Sequence, residues 1–219
     1  MSQVVIFGLG MAAEVAHYYF EADSPHQVAG FAVDQAFFDR KSFCGLPVAD
    51  FETVEKVFDP ASHLFFAAVG YSRMNDFRAE KVRQAKAKGF GIASYISSRA
   101  TVFPDLSHLE NAFILENNTI QPFVKIGHNV TIWSGTHVGH HSTIGANTFI
   151  SSQIVISGGV AVGCNCFFGV NATVLENLEI ADYTLVAAGA LINRATEPYG
   201  VYIGSPARKT DTPSSQLSI

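Results

Sequence analysis

Two architectures in series are predicted from the sequence: a small α/β unit followed by a parallel β-helix solenoid. Three observations carry this. Fourteen aliphatic or aromatic residues recur at every sixth position, namely Ile114, Ile120, Ile126, Ile132, Val138, Ile144, Ile150, Ile156, Val162, Phe168, Val174, Ile180, Val186 and Ile192. A second set, two residues ahead of them, is mostly small or β-branched: Val130, Thr136, Ser142, Thr148, Val160, Cys166, Ala172, Thr184 and Ala190. Upstream, a short apolar run leads into Gly8-Leu9-Gly10 and then into a helical pattern.

A helix repeats every 3.6 residues and a strand every 2, so neither calls for a period of six. A fixed short repeat marks a solenoid, in which each unit buries its face on the next. Six fits a coil of three short strands, each sending one large residue inside. The small residues suit the narrow space beside a corner. Gly127, Gly139, Gly145, Gly163 and Gly169 follow core residues and are expected to serve a tightly turning backbone.

In the α/β unit, residues 4–7 read as a strand, 12–20 as a helix and 28–33 as a second strand ending at Asp34. Residues 64–69 read as a third strand ending at Gly70, and 75–88 as a helix with its charges on one face and Gly89 placed to stop it. Strand and helix in alternation suggest a parallel, Rossmann-like sheet. Residues 94–102 read as the connection. The expected domains are 1–95 for the α/β unit, 96–209 for the solenoid and 210–219 for a polar, frayed tail.

The chain of 219 residues is 48% hydrophobic, enough to fill a core. Charged residues make up 15%, below the ~25% usual for soluble domains. That deficit points to surface covered by other subunits. A net charge of −5 argues against a general nucleic-acid or membrane binder. The opening MSQVVIFGLG has no basic region or cleavage site and does not read as a signal peptide. No apolar run approaches the ~18–20 residues of a membrane span. Cys44, Cys164 and Cys166 give neither a disulfide framework nor zinc spacing, which suits a reduced cytoplasmic compartment.

Two motifs carry candidate chemistry. Gly8-Leu9-Gly10-Met11-Ala12-Ala13 fits G-x-G-x-x-A between a strand and a helix, where backbone can approach a phosphate and the helix N-terminus favours negative charge. Asp34 lies where an acidic residue meets a ribose or base. Before the solenoid begins there is room for a mononucleotide-binding half rather than a full dinucleotide fold, and a plain strand-to-helix turn is the alternative. The second motif is His137-Val138-Gly139-His140-His141. A neutral imidazole suits general base work near physiological pH. A three-histidine metal site and solvated surface histidines are the competing readings, and the metal reading lacks an interleaved acidic or cysteine ligand. In the six-residue register His140 falls at or near a corner and His141 on the outside.

The hexapeptide run, His140 with its polar neighbour, and the closing Gly204-Ser205-Pro206-Ala207-Arg208 resemble the left-handed β-helix acyltransferases. With the N-terminal G-x-G unit, residues 2–209 resemble the nucleotide-sugar N-acyltransferases of the NeuD/PglD/PerB/VioB group. The resemblance implies acylation of the amine of a nucleotide-linked 4-amino-dideoxy sugar, in cytoplasmic polysaccharide biosynthesis, by a homotrimer that uses acetyl-CoA or another acyl-CoA and no metal. It implies that the nucleotide sugar is held by Gly8, Gly10, Met11, Asp34, Tyr71 and Ser72. The acyl-CoA would lie between neighbouring β-helices against Phe149, Gly158, Gly159, Ala188, Gly189 and Arg208, with Lys209 and Arg194 near its phosphates. His140 matches the family's base. His141 stands where many members carry a glutamate, and Phe149 where they carry a further histidine. The implied chemistry is direct transfer, with a backbone N–H such as that of Gly158 polarising the thioester carbonyl. Cys164 and Cys166 are nucleophiles only in principle. Three other readings compete: O-acylation of a sugar hydroxyl, as in sialic acid O-acetyltransferases; a structural trimer or a metal protein like the γ-class carbonic anhydrases; and a dehydrogenase.

Overall fold

The computed structural model describes residues 2–217. The chain divides into two compact units. One comprises residues up to Gly70 together with Arg78–Tyr95, and the other comprises Tyr71–Phe77 together with residues from Ile96 onward.

The first unit is built on a six-stranded sheet. Its order is Ser42–Phe43, Leu46–Asp50, Gln27–Val33, Gln3–Phe7, His63–Ala67, Gly91–Ile92. All neighbours pair in parallel except the short hairpin of the first two. That hairpin is an addition to the expected elements. Val4, Val5, Ile6 and Phe7 are buried on both faces of the sheet, as central parallel strands require. Helix Met11–Ala22 turns Ala13, Ala16 and Phe20 inward. Helix Asp76–Ala87 begins one residue later than expected because Arg73, Met74 and Asn75 all have left-handed φ. Gly89, at φ +94°, stops it. Its charges are not all solvated: Arg78 and Lys81 are buried.

The second unit is a three-sided parallel β-helix. Every repeat contributes a two-residue strand, and each strand pairs with the one eighteen residues on: Thr119 with His137, His137 with Val155, Val155 with Thr173 and Thr173 with Leu191. A second face carries Lys125–Ile126, Thr143–Ile144, Ala161–Val162 and Glu179–Ile180. A third carries Phe113–Ile114, Thr131–Ile132, Phe149–Ile150, Phe167–Phe168 and Leu185–Val186. All fourteen sixth-position residues are buried and lie in one core cluster. The small register is buried too, and its polar members serve the ladder. Thr136 Oγ1 accepts from Ile154 N–H at 3.3 Å and donates to Ser151 O at 3.1 Å. Ser142 does the same for Val160 and Ser157, and Thr148 for Cys166 and Gly163. These hydroxyls pair backbone groups that would otherwise be buried without partners.

The corners have a register of their own. Asn111, Asn117, Phe123, Asn129, Gly135, His141, Asn147, Gln153, Gly159, Asn165, Asn171, Asn177, Tyr183 and Gly189 all have φ between +54° and +78°. Asparagine and glycine enter the left-handed region at least cost, so they dominate. Along one corner the asparagines also bond in a column. Asn111 Nδ2 donates to Asn129 at 2.8 Å, Asn129 to Asn147 at 2.9 Å, Asn147 to Asn165 at 3.1 Å, and Asn165 to Asp76 Oδ1 at 2.8 Å. The glycines that follow core residues have a different cause from the one expected. None has positive φ; instead the next coil leaves no room for a Cβ. At Gly145 it would sit 2.3 Å from Gly163 O, and at Gly127 2.6 Å from Ala146 N.

The tail is ordered rather than frayed through residue 217. Ser214 is buried, its hydroxyl donates to Tyr183 O at 2.6 Å and its N–H to Tyr199 O at 2.8 Å. Residues 218–219 lie outside the described residues.

Three substitutions separate these causes in denaturant unfolding. Ile150→Ala is expected to cost about 2–5 kcal/mol. Gly145→Ala should cost about 1–3 kcal/mol by overpacking. Gly10→Ala, with nothing within 4 Å of its Cβ and φ −97°, should leave stability nearly unchanged.

Candidate active site

His140 stands at the corner between the strands His137–Val138 and Thr143–Ile144. It is held from several directions. Its N–H donates to Gln121 Oε1 at 2.8 Å, and its carbonyl accepts from Gly159 N–H at 2.9 Å. Its ring lies on Gly158: a Cβ there would meet Cε1 at 2.8 Å, Nε2 at 2.9 Å and Nδ1 at 3.2 Å. Glycine at 158 is therefore a condition of this ring position. His141 takes the left-handed corner, at φ +60°, and its Nδ1 is 3.1 Å from His140 Nδ1. The His141 ring also packs on Phe123, centroid to centroid 4.6 Å. Both histidines are exposed, and among the described residues His140 Nε2 has no hydrogen-bond partner. His137 sits on the preceding strand, and among the described residues no group of three or more His, Cys, Asp or Glu is placed to hold a metal ion.

Gly158 and Gly159 thus join the His140 corner. Among the described residues, Gly158 N–H has no hydrogen-bond partner, as an oxyanion donor requires. Ala188 and Gly189 do not match that spot one coil on. The residues stacked under Gly158-Gly159 are Glu176-Asn177, with Asn177 N–H donating to Gly158 O at 3.0 Å. Gly189 belongs to the corner column of Gly135, Gln153 and Asn171, on the far edge of the His137 face. Phe149 lies on the third face, buried, stacked on Phe167 at 5.7 Å and met edge-on by Tyr71 at 5.1 Å. Arg208 shares a cleft of about 300 Å³ with Arg194 and Lys209, and Lys209 is paired with Glu197. Cys166 is buried, its thiol is pushed up to about 12 by that burial, and it donates to Ala181 O at 3.3 Å. A thiol so placed is inert as a nucleophile.

In the first unit, the two glycines of the turn differ. Gly8 has φ +122° and its Cβ would sit 2.9 Å from Ala68 O, so the fold demands glycine. Gly10 is the uncapped N-cap of helix Met11–Ala22 and faces open space; Met11, next to it, is 84% exposed. Asp34 Oδ1 is paired with Lys81 at 2.5 Å. Lys81 lies over the rings of Phe51 and Phe7, at 4.7 and 5.1 Å. Sequence reasoning missed Lys81, because a helix lysine reads as solvated. Tyr71 and Ser72 belong to the segment that packs with the β-helix. Tyr71 meets Phe167 and Phe149, and Ser72 lines a cleft of about 620 Å³ with Arg73, Asp76, Tyr183 and Tyr199. Gln121 and Phe123, which brace the two histidines, were also missed.

The fold and this corner define a class, the left-handed β-helix transferases with hexapeptide repeats. Two family models match within it: a bacterial transferase hexapeptide of six repeats over residues 123–158, and a hexapeptide repeat of succinyl-transferase over 159–194. Over nearly its whole length the chain is similar to sugar acyltransferases of the NeuD/PglD/PerB/VioB-like kind. It is similar to PerB from Caulobacter crescentus, solved with CoA and GDP-perosamine, at 26% identity and TM-score 0.85, over 96% of this chain and 98% of that one. The acetyltransferase domain of PglB from Neisseria gonorrhoeae shares the fold at 17% identity and TM-score 0.60, over 96% of this chain and all of that one. UDP-3-O-acylglucosamine N-acyltransferase of Delftia acidovorans is 28% identical over 116 residues, which is 53% of this chain and 31% of that protein. The chain thus spans about a third of the length of the curated relatives it matches.

Thiol labelling checks the exclusion of Cys166 as a nucleophile. In the native protein iodoacetamide should modify exposed Cys44 and leave Cys166 untouched until the protein is unfolded, as read by peptide mass spectrometry.

Proposed function

We propose that this protein transfers an acyl group, acetyl in the first instance, from CoA to the amine of a nucleotide-linked amino sugar. The observation that carries the reading is the His140 corner: an imidazole laid on Gly158, its Nδ1 occupied by His141 and its Nε2 presented outward. The full-length likeness to an N-acetyltransferase solved with CoA and GDP-perosamine supports the two substrates.

In this reading the amine attacks the thioester carbonyl while His140 Nε2 takes its proton, a contribution of about 10²–10⁴-fold. The Gly158 N–H polarises the carbonyl oxygen. Positioning of the two substrates supplies much of the rest. The acyl-CoA arm runs past Gly158-Gly159, and its phosphates are met by the Arg194 and Arg208 cleft. Ala188, Gly189 and Phe149 lie off the His140 corner of their own chain, so in this reading they would meet the acyl-CoA from a neighbouring copy. The nucleotide lies at Gly8, Gly10 and Met11, where the missing side chain of Gly10 leaves open space at a helix N-terminus. Asp34, with one oxygen held by Lys81, presents the other to the ribose or base. Tyr71 and Ser72 are assigned to the same ligand on the family resemblance. The enzyme is proposed to act as a cytoplasmic homotrimer. No helix among the described residues is long and apolar enough to cross a membrane.

A thiol-release assay tests this. With acetyl-CoA and a panel of UDP-, GDP- and dTDP-linked 4-amino-dideoxy sugars, one pair should turn over, and His140→Ala should reduce its rate by at least about 10²-fold. Turnover with sugar hydroxyls and none with amines would replace this reading by O-acylation. Sedimentation should give a trimer, and a stable monomer would remove the groove between copies.

A further inference from the structure

We infer that, within the nucleotide-sugar reading on which this rests, Lys81 leaves Asp34 one free oxygen and so selects a base with a single imide N–H, uracil or thymine. Asp34 directly follows the strand Gln27–Val33, and its Oδ1 is 2.5 Å from Lys81 Nζ. Its side chain does not cap the turn that comes next, Gln35–Phe37. Oδ2 has no hydrogen-bond partner among the described residues. The carboxylate thus offers one unused acceptor atom at the carboxyl end of a parallel sheet, where ligands of such folds bind.

Lys81 is held back from the ligand. Its side chain is 8% exposed, against 22% for Asp34. The ammonium lies over the rings of Phe51 and Phe7, at 4.7 and 5.1 Å, and donates to Gln84 Oε1 at 3.2 Å. Gln84 is turned that way round because its own amide N–H donates to Glu80 Oε1 at 3.0 Å. Glu80, Gln84, Lys81 and Asp34 form one chain of donors and acceptors, and Asp34 Oδ1 is its end.

One acceptor atom suits one donor. The hydrogen-bonding edge of uracil or thymine has a single N–H, at N3, which would bond Oδ2 as a charge-assisted pair. Guanine has N1–H and its N2 amino group side by side, and a carboxylate satisfies both only with both oxygens. With Oδ1 taken, one guanine N–H is left unpaired in the complex, a loss of about tenfold in affinity or more. Adenine and cytosine set a ring lone pair beside their amino group, and a carboxylate repels it. The vicinal hydroxyls of a ribose also call for both oxygens. By its hold on one atom, Lys81 becomes a determinant of the base.

Calorimetric titration of the full protein with UDP, dTDP, GDP and CDP tests this without any acyl transfer. The tighter of UDP and dTDP should bind at least about tenfold more tightly than GDP or CDP, and which of the two it is names the ring. The similar PerB was solved with GDP-perosamine, so GDP is the demanding comparison. Two substitutions move the ratios. Lys81→Met frees Oδ1, and GDP should gain at least about fivefold on the preferred imide nucleotide. In Asp34→Asn the Lys81 ammonium must face the amide oxygen, which turns the NH2 outward. A donor then meets the base, and CDP, whose N3 accepts, should overtake UDP and dTDP. Adding Lys81→Met to Asp34→Asn leaves the amide free to turn and should bring CDP and the imide nucleotide back within about threefold. Ratios taken within one variant are unmoved by a general loss of folded protein. GDP as tight as the preferred imide nucleotide, which is what a ribose contact would give, or ratios that neither substitution moves, would overturn the inference. Binding of none of the four would overturn it together with the proposed function. A GDP preference alongside His140-dependent transfer would sink the inference and leave the proposed function standing; an imide preference in a protein that transfers no acyl group would do the reverse.

Discussion

The spacing between coils governs this molecule. Each strand of the β-helix is two residues long and is held by the strand eighteen residues on. Such short strands pair only if the backbone keeps ladder distance around the corners as well as along the faces. The corner then has little freedom. The residue after the core position must be small where the next coil crosses it, and the residue two further on must take left-handed φ. The buried fourteen-residue column supplies the driving force, at roughly 1.5–3 kcal/mol for each large side chain removed from water. The corners decide where that force can be spent.

The site uses the same geometry. His140 and Gly158 are stacked neighbours in successive coils, so the glycine that the ring needs is delivered by the repeat itself. His141 occupies a position where asparagine or glycine is ordinary, and takes it up with Phe123 as its platform. A cysteine in the inward register, Cys166, is buried by the same packing and loses its nucleophilicity. In the α/β unit, Lys81 holds one oxygen of Asp34 while the Phe51 and Phe7 rings lie against the ammonium, so the carboxylate is oriented by the protein itself.

The inward register could be read from the sequence because apolar burial leaves a direct trace: the same residue type at the same interval. The small register was readable for the same reason. The left-handed register was equally periodic, at Asn147, Asn165, Asn171 and Asn177 among others, yet polar residues at regular intervals look like ordinary loop composition. Gly127 and Gly145 were assigned to turning, whereas their cause lies in the next coil, at Ala146 and Gly163. Ala188-Gly189 resembles Gly158-Gly159 in composition alone, since stacking requires a step of eighteen and gives Glu176-Asn177. Lys81 and the docked tail share one reason for escaping notice: a lysine on a charged helix and a run of serines look solvated until a specific partner is known.

The central claim is that the repeat positions the base by laying His140 on a bare backbone at Gly158. Steady-state kinetics of Gly158→Ala test it most directly. The atoms nearest the added methyl all belong to the His140 ring, so the account predicts a nearly unchanged melting curve and a fall in kcat approaching 10²-fold, as a roughly 1 Å displacement of a reacting group produces. An alanine variant that keeps the wild-type kcat would contradict it.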